Sequence, residues 1–254
     1  MYIKEPAIEG NQYKFSTSTV FPKHNTPMFS RRSFVSLVFL VALGACQNPA
    51  PEAKSAIGDK SDPTVAGKSD KPRKTIVFFG NSLTAAYQLP PEKGFPALIQ
   101  QKIDSLGLPY RCVNAGNSGE TTAGGKNRVD WILSQPVDVF VLELGGNDAL
   151  RGLPLDESKK NLQEIINRVK AKYPACKIVL AGMLAPPNLG PTYTGQFAAM
   201  YTDLAKANGA ALIPFLLEDV GGEPELNLSD GIHPNEAGHR IVAETVWRVL
   251  RPLL

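Results

Sequence analysis

Histidine and cysteine are both scarce in this chain, three of each in 254 residues. No His or Cys pair stands at the spacing of a metal site. Also missing are the Gly-x-x-x-x-Gly-Lys-Ser/Thr loop that cradles phosphates and the glycine fingerprint of dinucleotide folds. No metal or cofactor is therefore expected. Beyond residue 45 an excess of charge is lacking too. The formal net charge of +3 comes entirely from residues 1–45, where five basic residues face two acidic ones. The remainder balances at 22 basic and 22 acidic residues, which leaves no basic patch for nucleic acid. Hydrophobic residues make up 43% of the chain, enough for a globular core.

The apolar run at residues 34–42 is far below the ~20 residues of a membrane-spanning helix. It follows Arg31-Arg32, is broken only by Ser36, and reads as the core of an export signal. It ends in Leu43-Gly44-Ala45-Cys46, which resembles the lipobox of bacterial lipoproteins. There a peptidase cleaves before the cysteine, whose thiol takes diacylglycerol. Acyl chains add about 0.8 kcal/mol per buried CH₂ and could anchor a soluble domain, so Cys46 is the expected lipidation site. The alternative is an ordinary signal with an incidental cysteine. Met28 precedes a normal signal start, Phe29-Ser30-Arg31-Arg32, and is the expected first residue of the translated chain. From Gln47 to Arg73 there is no aromatic residue, and Gly58-Asp59-Lys60-Ser61-Asp62 is nearly repeated at Gly67-Lys68-Ser69-Asp70. Such a segment buries too little apolar surface to order itself. Residues 1–45 are thus expected to be removed and residues 46–73 to form a disordered tether. The product is an exported, monomeric lipoprotein at a cell-envelope membrane, on the outer-membrane or periplasmic face.

From Lys74 onward strands and helices alternate. Apolar runs predict strands at residues 75–79, 112–115, 137–144, 177–183 and 211–215, with a helix at 95–103. Leu162, Ile165, Ile166 and Val169 recur at helical spacing. In the last helix Pro234 suits the first position, and Ile241, Val242, Val246, Val249 and Leu250 form its apolar stripe. Residues 74–254 therefore predict one α/β domain with a parallel sheet covered on both faces. Its active site belongs at the carboxyl ends of the strands.

Four islands supply chemistry there. In Gly80-Asn81-Ser82-Leu83 the serine follows a strand, and acyl transfer needs a hydroxyl activated by a neighbouring base. Thr84 breaks the Gly-x-Ser-x-Gly pattern, which speaks against the strained elbow of α/β-hydrolases. Ser82 could instead merely cap the next segment. In Asp230-Gly231-Ile232-His233 a short turn can bring the carboxylate to the imidazole, so one ring nitrogen is held while the other takes a proton. His24 precedes the signal, and His239 sits among polar neighbours, where solvation is expected. Ser118-Gly119-Glu120-Thr121 offers the backbone N–H of Gly119, and Gly145-Gly146-Asn147-Asp148 offers the amide of Asn147. Fixed donors of this kind stabilise the oxyanion of a tetrahedral intermediate. A turn residue after two glycines is the competing role for Asn147.

These islands resemble the conserved blocks of the SGNH (GDSL-type) hydrolase superfamily, and most closely its bacterial acyl-CoA thioesterase I, lysophospholipase and arylesterase branch. The carrying passages are Phe79-Gly80-Asn81-Ser82-Leu83-Thr84, Glu143 to Gly152, and Asp230-Gly231-Ile232-His233-Pro234-Asn235. The resemblance implies a flavodoxin-like three-layer α/β/α fold with strand order 2-1-3-4-5. It further implies that Ser82 is the nucleophile, His233 the base and Asp230 its orienting partner, with Ser82, Gly119 and Asn147 forming the oxyanion hole. Asn81 departs from the family's usual aspartate, and activity is expected to persist with a changed pH profile. With that strand order Cys112 and Cys176 lie three strands apart, roughly 14 Å at about 4.8 Å per strand, beyond disulfide reach. The expected substrate is a small-molecule ester or thioester of a fatty acyl or aryl group, since residues 184–191, Tyr193 and Phe197 are mostly apolar. A carbohydrate O-acetylesterase and a non-catalytic lipid-binding lipoprotein are the alternatives.

Overall fold

The computed structural model describes residues 73–254. Met28, the export signal, Cys46 and the tether up to residue 72 lie outside the described residues. Five strands form one sheet: β1 (Lys74–Gly80), β2 (Tyr110–Gly116), β3 (Val139–Glu143), β4 (Lys177–Ala181) and β5 (Ala211–Ile213). Every pairing is parallel and the order is β2-β1-β3-β4-β5. That is the expected 2-1-3-4-5 topology.

Helices cover both faces, and adjacent residues of β1 separate the layers. Phe78 meets Phe95 edge-on at 5.6 Å, on the side of α2 (Phe95–Ser105). Phe79 turns the other way, under the Arg128 guanidinium of α3 (Thr122–Ile132). The full burial of β3 follows from this double cover, which is why it reads as an unbroken apolar run and not as an alternation. Helix α2 packs on α7 (Glu236–Leu250), while α3 packs on α5 (Leu155–Lys172), itself in contact with α6 (Pro191–Asn208). On α5 the predicted face, Leu162, Ile165, Ile166 and Val169, is buried. Asp156 and Glu157 occupy its first turn and Lys170 and Lys172 its last, matching the helix dipole.

The strands after β2 end earlier than apolar content alone predicts. At β5 the run continues to Phe215, but Pro214 has no N–H to give the ladder, and the strand stops at Ile213. Pro234 does not open the last helix either. Asn235 is the cap, its side chain accepting from Ala237 N and Gly238 N, and the helix begins at Glu236.

His239 is a clear correction. Expected in solvent, it is 1% exposed on the inward stripe of α7. Its Nδ1 accepts from Phe95 N at 3.3 Å, and its ring stacks on Phe95. The proton therefore sits on Nε2, which has no partner. Burial, assisted by His233, pushes this imidazole down from 6.5 to about 4.

Cys112 lies on β2 and Cys176 just before β4, with β1 and β3 between them. Both are free, and burial pushes each thiol up to about 12. No described helix is long and apolar enough to cross a membrane.

Candidate active site

The four islands meet at the carboxyl ends of β1, β2 and β3 and in the loop before α7. Strand β1 runs straight into a one-turn helix, α1 (Ser82–Ala85). Its cap is Asn81, whose Oδ1 accepts from Leu83 N at 2.9 Å. The capping role open to Ser82 is thereby taken by its neighbour. Ser82 Oγ lies 2.8 Å from His233 Nε2 and 3.4 Å from Asn81 Oδ1.

Asp230 holds His233 twice. Its Oδ1 accepts from Ile232 N and His233 N at 2.9 and 3.0 Å, closing the turn. Its Oδ2 stands 2.6 Å from His233 Nδ1. That bond puts the ring proton on Nδ1 and leaves Nε2 as an acceptor facing Ser82. Partial burial raises the Asp230 carboxyl, but the N–H groups of His233 and Ile232 and the His233 ring outweigh it, leaving it below its ordinary value. Tyr87 lies against the other side of the imidazole, with ring centroids 4.5 Å apart. It stands between Ala86 and Gln88, which take left-handed φ values of 57° and 59°. Non-glycine residues seldom adopt that conformation, and they concentrate at functional sites.

The N–H groups of Ser82 and Gly119 donate to no described protein acceptor. Asn147 follows Gly145, whose φ is +116° and where a Cβ would stand 2.2 Å from Tyr201 Oη; only glycine fits. Asn147 Nδ2 donates to Glu120 O at 3.0 Å, so the amide is anchored with one N–H still available. Arg151 Nη2 donates to Gly119 O at 3.0 Å. A hydroxyl paired with an imidazole and a carboxylate, with orphan N–H donors on the turns that follow β1 and β2, can carry out nucleophilic acyl transfer. Among the described residues no cluster of three or more His, Cys, Asp or Glu side chains could hold a metal.

Three buried carboxylates went unassigned in the sequence. Glu120 accepts from Arg128 Nε at 2.8 Å, from Arg128 Nη2, and from Asn117 Nδ2 at 3.1 Å. Asp148 accepts from Thr122 N, Thr122 Oγ1 and Ser158 Oγ at 2.9, 2.6 and 3.1 Å. These two hold the segments around Gly119 and Asn147. The third, Glu143 at the end of β3, accepts from Asn81 and Thr84. Burial pushes its carboxyl up from 4.5 to about 7, against the pull of those hydrogen bonds. Phe197 belongs elsewhere than expected: it is fully buried against Tyr201 and is a core residue. Leu184, by contrast, is 44% exposed.

Glu143 and His239 have opposite effects on stability. The imidazole, pushed down, favours folding above pH 6.5, and that contribution is lost as pH falls toward about 4. The carboxyl, pushed up, favours folding below pH 4.5, and that contribution is lost as pH rises through about 7. Between these limits the unfolded chain holds a proton on His239 and none on Glu143, and the folded chain the reverse. The two slopes, each worth roughly 3 kcal/mol over its range, offset one another. Urea midpoints at pH 5 and 6.5 should therefore diverge in single variants. Relative to the parent, His239→Phe should gain stability on acidification, and Glu143→Gln should lose it. Equal slopes in all three proteins would refute the burial of these charges.

The profile of the GDSL-like Lipase/Acylhydrolase family matches residues 78–241. Esterase TesA of Pseudomonas aeruginosa is 39% identical over 182 residues, covering 71% of this chain and 90% of the relative. Thioesterase 1/protease 1/lysophospholipase L1 of Escherichia coli K12 is 35% identical over 181 residues, covering 71% and 85%. A crystal structure of TesA superposes with a TM-score of 0.68 at 39% identity, covering 71% of this chain and all of that one.

Proposed function

The chain belongs to the GDSL-like lipase/acylhydrolase family and is a serine ester hydrolase, and within that membership we propose that Ser82, His233 and Asp230 perform the reaction. The observation that carries this assignment is the continuous chain from Ser82 Oγ through His233 to Asp230, with bonds of 2.8 and 2.6 Å. His233 Nε2 takes the hydroxyl proton as Oγ attacks the acyl carbon. The carbonyl oxygen gains negative charge, which the N–H groups of Ser82 and Gly119 and the amide of Asn147 stabilise. The imidazolium, held by Asp230 and covered by Tyr87, then protonates the leaving oxygen or sulfur. An acyl-enzyme remains on Ser82. Water, deprotonated by the same imidazole, releases the acid and restores the serine.

The substrate class is a fatty acyl or aryl ester or thioester, including lysophospholipid. The exposed large apolar residues Tyr87, Leu150 and Ile232 lie on the segments that carry the site, Leu184 lies in the loop after β4, and such residues suit an acyl chain better than a sugar. The test is turnover of p-nitrophenyl acetate, butyrate and octanoate, with Ser82→Ala as the blank. Rising kcat/KM from acetate to octanoate is expected. Strict preference for acetate would replace this reading with O-deacetylation, and turnover independent of Ser82 would remove it.

We further propose that Cys46 carries diacylglycerol and that the monomer is tethered to the cell envelope by residues 46–73. The support is the signal pattern ending in Leu43-Gly44-Ala45-Cys46. Mass spectrometry of the envelope-extracted protein should find the lipid on an N-terminal Cys46; an unmodified Cys46 would sink the proposal.

A further inference from the structure

Glu143 lies directly beneath the turn that carries Ser82, yet the reaction steps give it no part. It is 1% exposed, and the donors it meets are all neutral. Asn81 N donates to Oε2 at 3.0 Å, Asn81 Nδ2 to Oε1 at 2.7 Å, and Thr84 Oγ1 to Oε2 at 2.8 Å. The orientation of the Asn81 amide is fixed independently. Its Oδ1 already accepts from Leu83 N at 2.9 Å, so the nitrogen is the end that faces Glu143. Gly80 permits this approach: a Cβ there would stand 2.4 Å from Glu143 Oε2 and 2.2 Å from Thr84 Oγ1. One carboxyl group at the end of β3 thus ties down the cap, the backbone and the last polar side chain of the nucleophile turn.

The four letters that name the matched family, GDSL, set an aspartate where this chain's Gly80-Asn81-Ser82-Leu83 has Asn81. An aspartate there would set a second carboxyl oxygen 2.7 Å from Glu143 Oε1, at the place of Asn81 Nδ2. Two carboxyls at that distance hold together only while they share a proton. The amide of Asn81 donates at every pH. Protonation of Glu143 on Oε2 is also accommodated, because the Thr84 hydroxyl can turn and accept, while both Asn81 bonds persist.

We propose that Glu143 is a positioning residue that holds the nucleophile turn through Asn81 and Thr84, and that Asn81 makes this hold independent of a shared proton. The proposal rests on the reading of Ser82 as nucleophile. Tyr201, Asp148 and His233 are the titratable neighbours that bear on Glu143. Tyr201 on α6 donates its hydroxyl to Leu144 O at 2.9 Å; burial, Glu143 and Asp148 push it upward, so it stays neutral. Asp148, on the short helix α4 (Gly146–Leu150), is occupied by Thr122 and Ser158. His233 reaches the turn only through Ser82 Oγ.

Three variants test this by their kcat, KM and pH profiles, with melting temperatures as the control for folding. In Glu143→Gln the new amide opposes an Asn81 or Thr84 donor in either orientation, and kcat should fall about tenfold or more with KM within about twofold. Adding Asn81→Asp reverses the bond: the introduced carboxylate accepts from the introduced amide, whose carbonyl keeps the backbone N–H and the Thr84 hydroxyl. The double variant should recover to within about threefold of the parent. Asn81→Asp alone should stay active at neutral pH and lose kcat/KM as pH rises and the shared proton leaves. That alkaline loss should be missing from the parent and from the double variant, and a role confined to folding would not produce it. If Glu143→Gln fails to fold, a folded and active double variant still supports the proposal. Full activity in Glu143→Gln, a double variant no better than it, or an Asn81→Asp profile overlaying the parent would each overturn the proposal. Parent turnover that survives Ser82→Ala would instead overturn the reading beneath it.

Discussion

Ser82→Ala and His233→Ala are each expected to lower kcat for p-nitrophenyl butyrate by about 10⁴-fold or more, and the double variant to be no worse than either. The reason is that the two side chains act as one unit. Ser82 Oγ is 2.8 Å from His233 Nε2, and neither can form the acyl-enzyme without the other. Whatever rate survives comes from binding and from the oxyanion donors, which are untouched by both changes. Initial rates at saturating ester, with active-site concentration known, measure this. Additive losses would mean that the two residues serve separate steps. Melting temperatures should shift little, because Ser82 is not the cap of its helix. That role belongs to Asn81.

Asn147→Ala is the second large effect, about 10²–10³-fold in kcat with KM nearly constant. The amide stabilises charge that exists only in the transition state, so its loss leaves substrate binding intact. It is anchored through Glu120 O at 3.0 Å, and Glu120 is itself fixed by Arg128 and Asn117. A donor held in this way needs no reorganisation as the oxyanion forms. Steady-state kinetics decide the matter: a loss confined to KM would make Asn147 a substrate contact and not an oxyanion donor.

The pairing of Asp230 with His233 was legible in the sequence because it is local. Asp230 and His233 stand three positions apart with Gly231 between them to close a turn, and the geometry follows almost without the rest of the fold. The sheet was legible for a similar reason, since parallel strands buried on both faces leave uninterrupted apolar runs such as residues 139–142. What could not be read depends on partners distant in the chain. Glu143 stands near the end of the apolar run at residues 137–144 and looks like the place where a strand meets water. Its partners Asn81 and Thr84 lie 62 and 59 residues earlier, and nothing local announces that its side chain turns inward. Gly119 and Asn147 owe much of their assignment to the resemblance, since a glycine and an asparagine after a strand are ordinary loop residues. His239 was misjudged although a signal existed. It is flanked by Gly238 and Arg240, but it lies three, four, seven and eleven residues before Val242, Ala243, Val246 and Leu250, all buried. Extending the apolar stripe one turn toward the helix start places it inside. Phe197 erred in the opposite direction, because aromatic content near a Pro-rich loop does not distinguish a groove from the core beneath it.

The central claim is that ester hydrolysis passes through a covalent intermediate on Ser82. Its most direct test is to inactivate the protein with diethyl p-nitrophenyl phosphate and map the adduct by peptide mass spectrometry. The account predicts one diethylphosphoryl group per chain, on Ser82, with activity lost in proportion to labelling and no adduct in Ser82→Ala. Complete inactivation with Ser82 unlabelled, or labelling at Ser82 that leaves turnover intact, would contradict it.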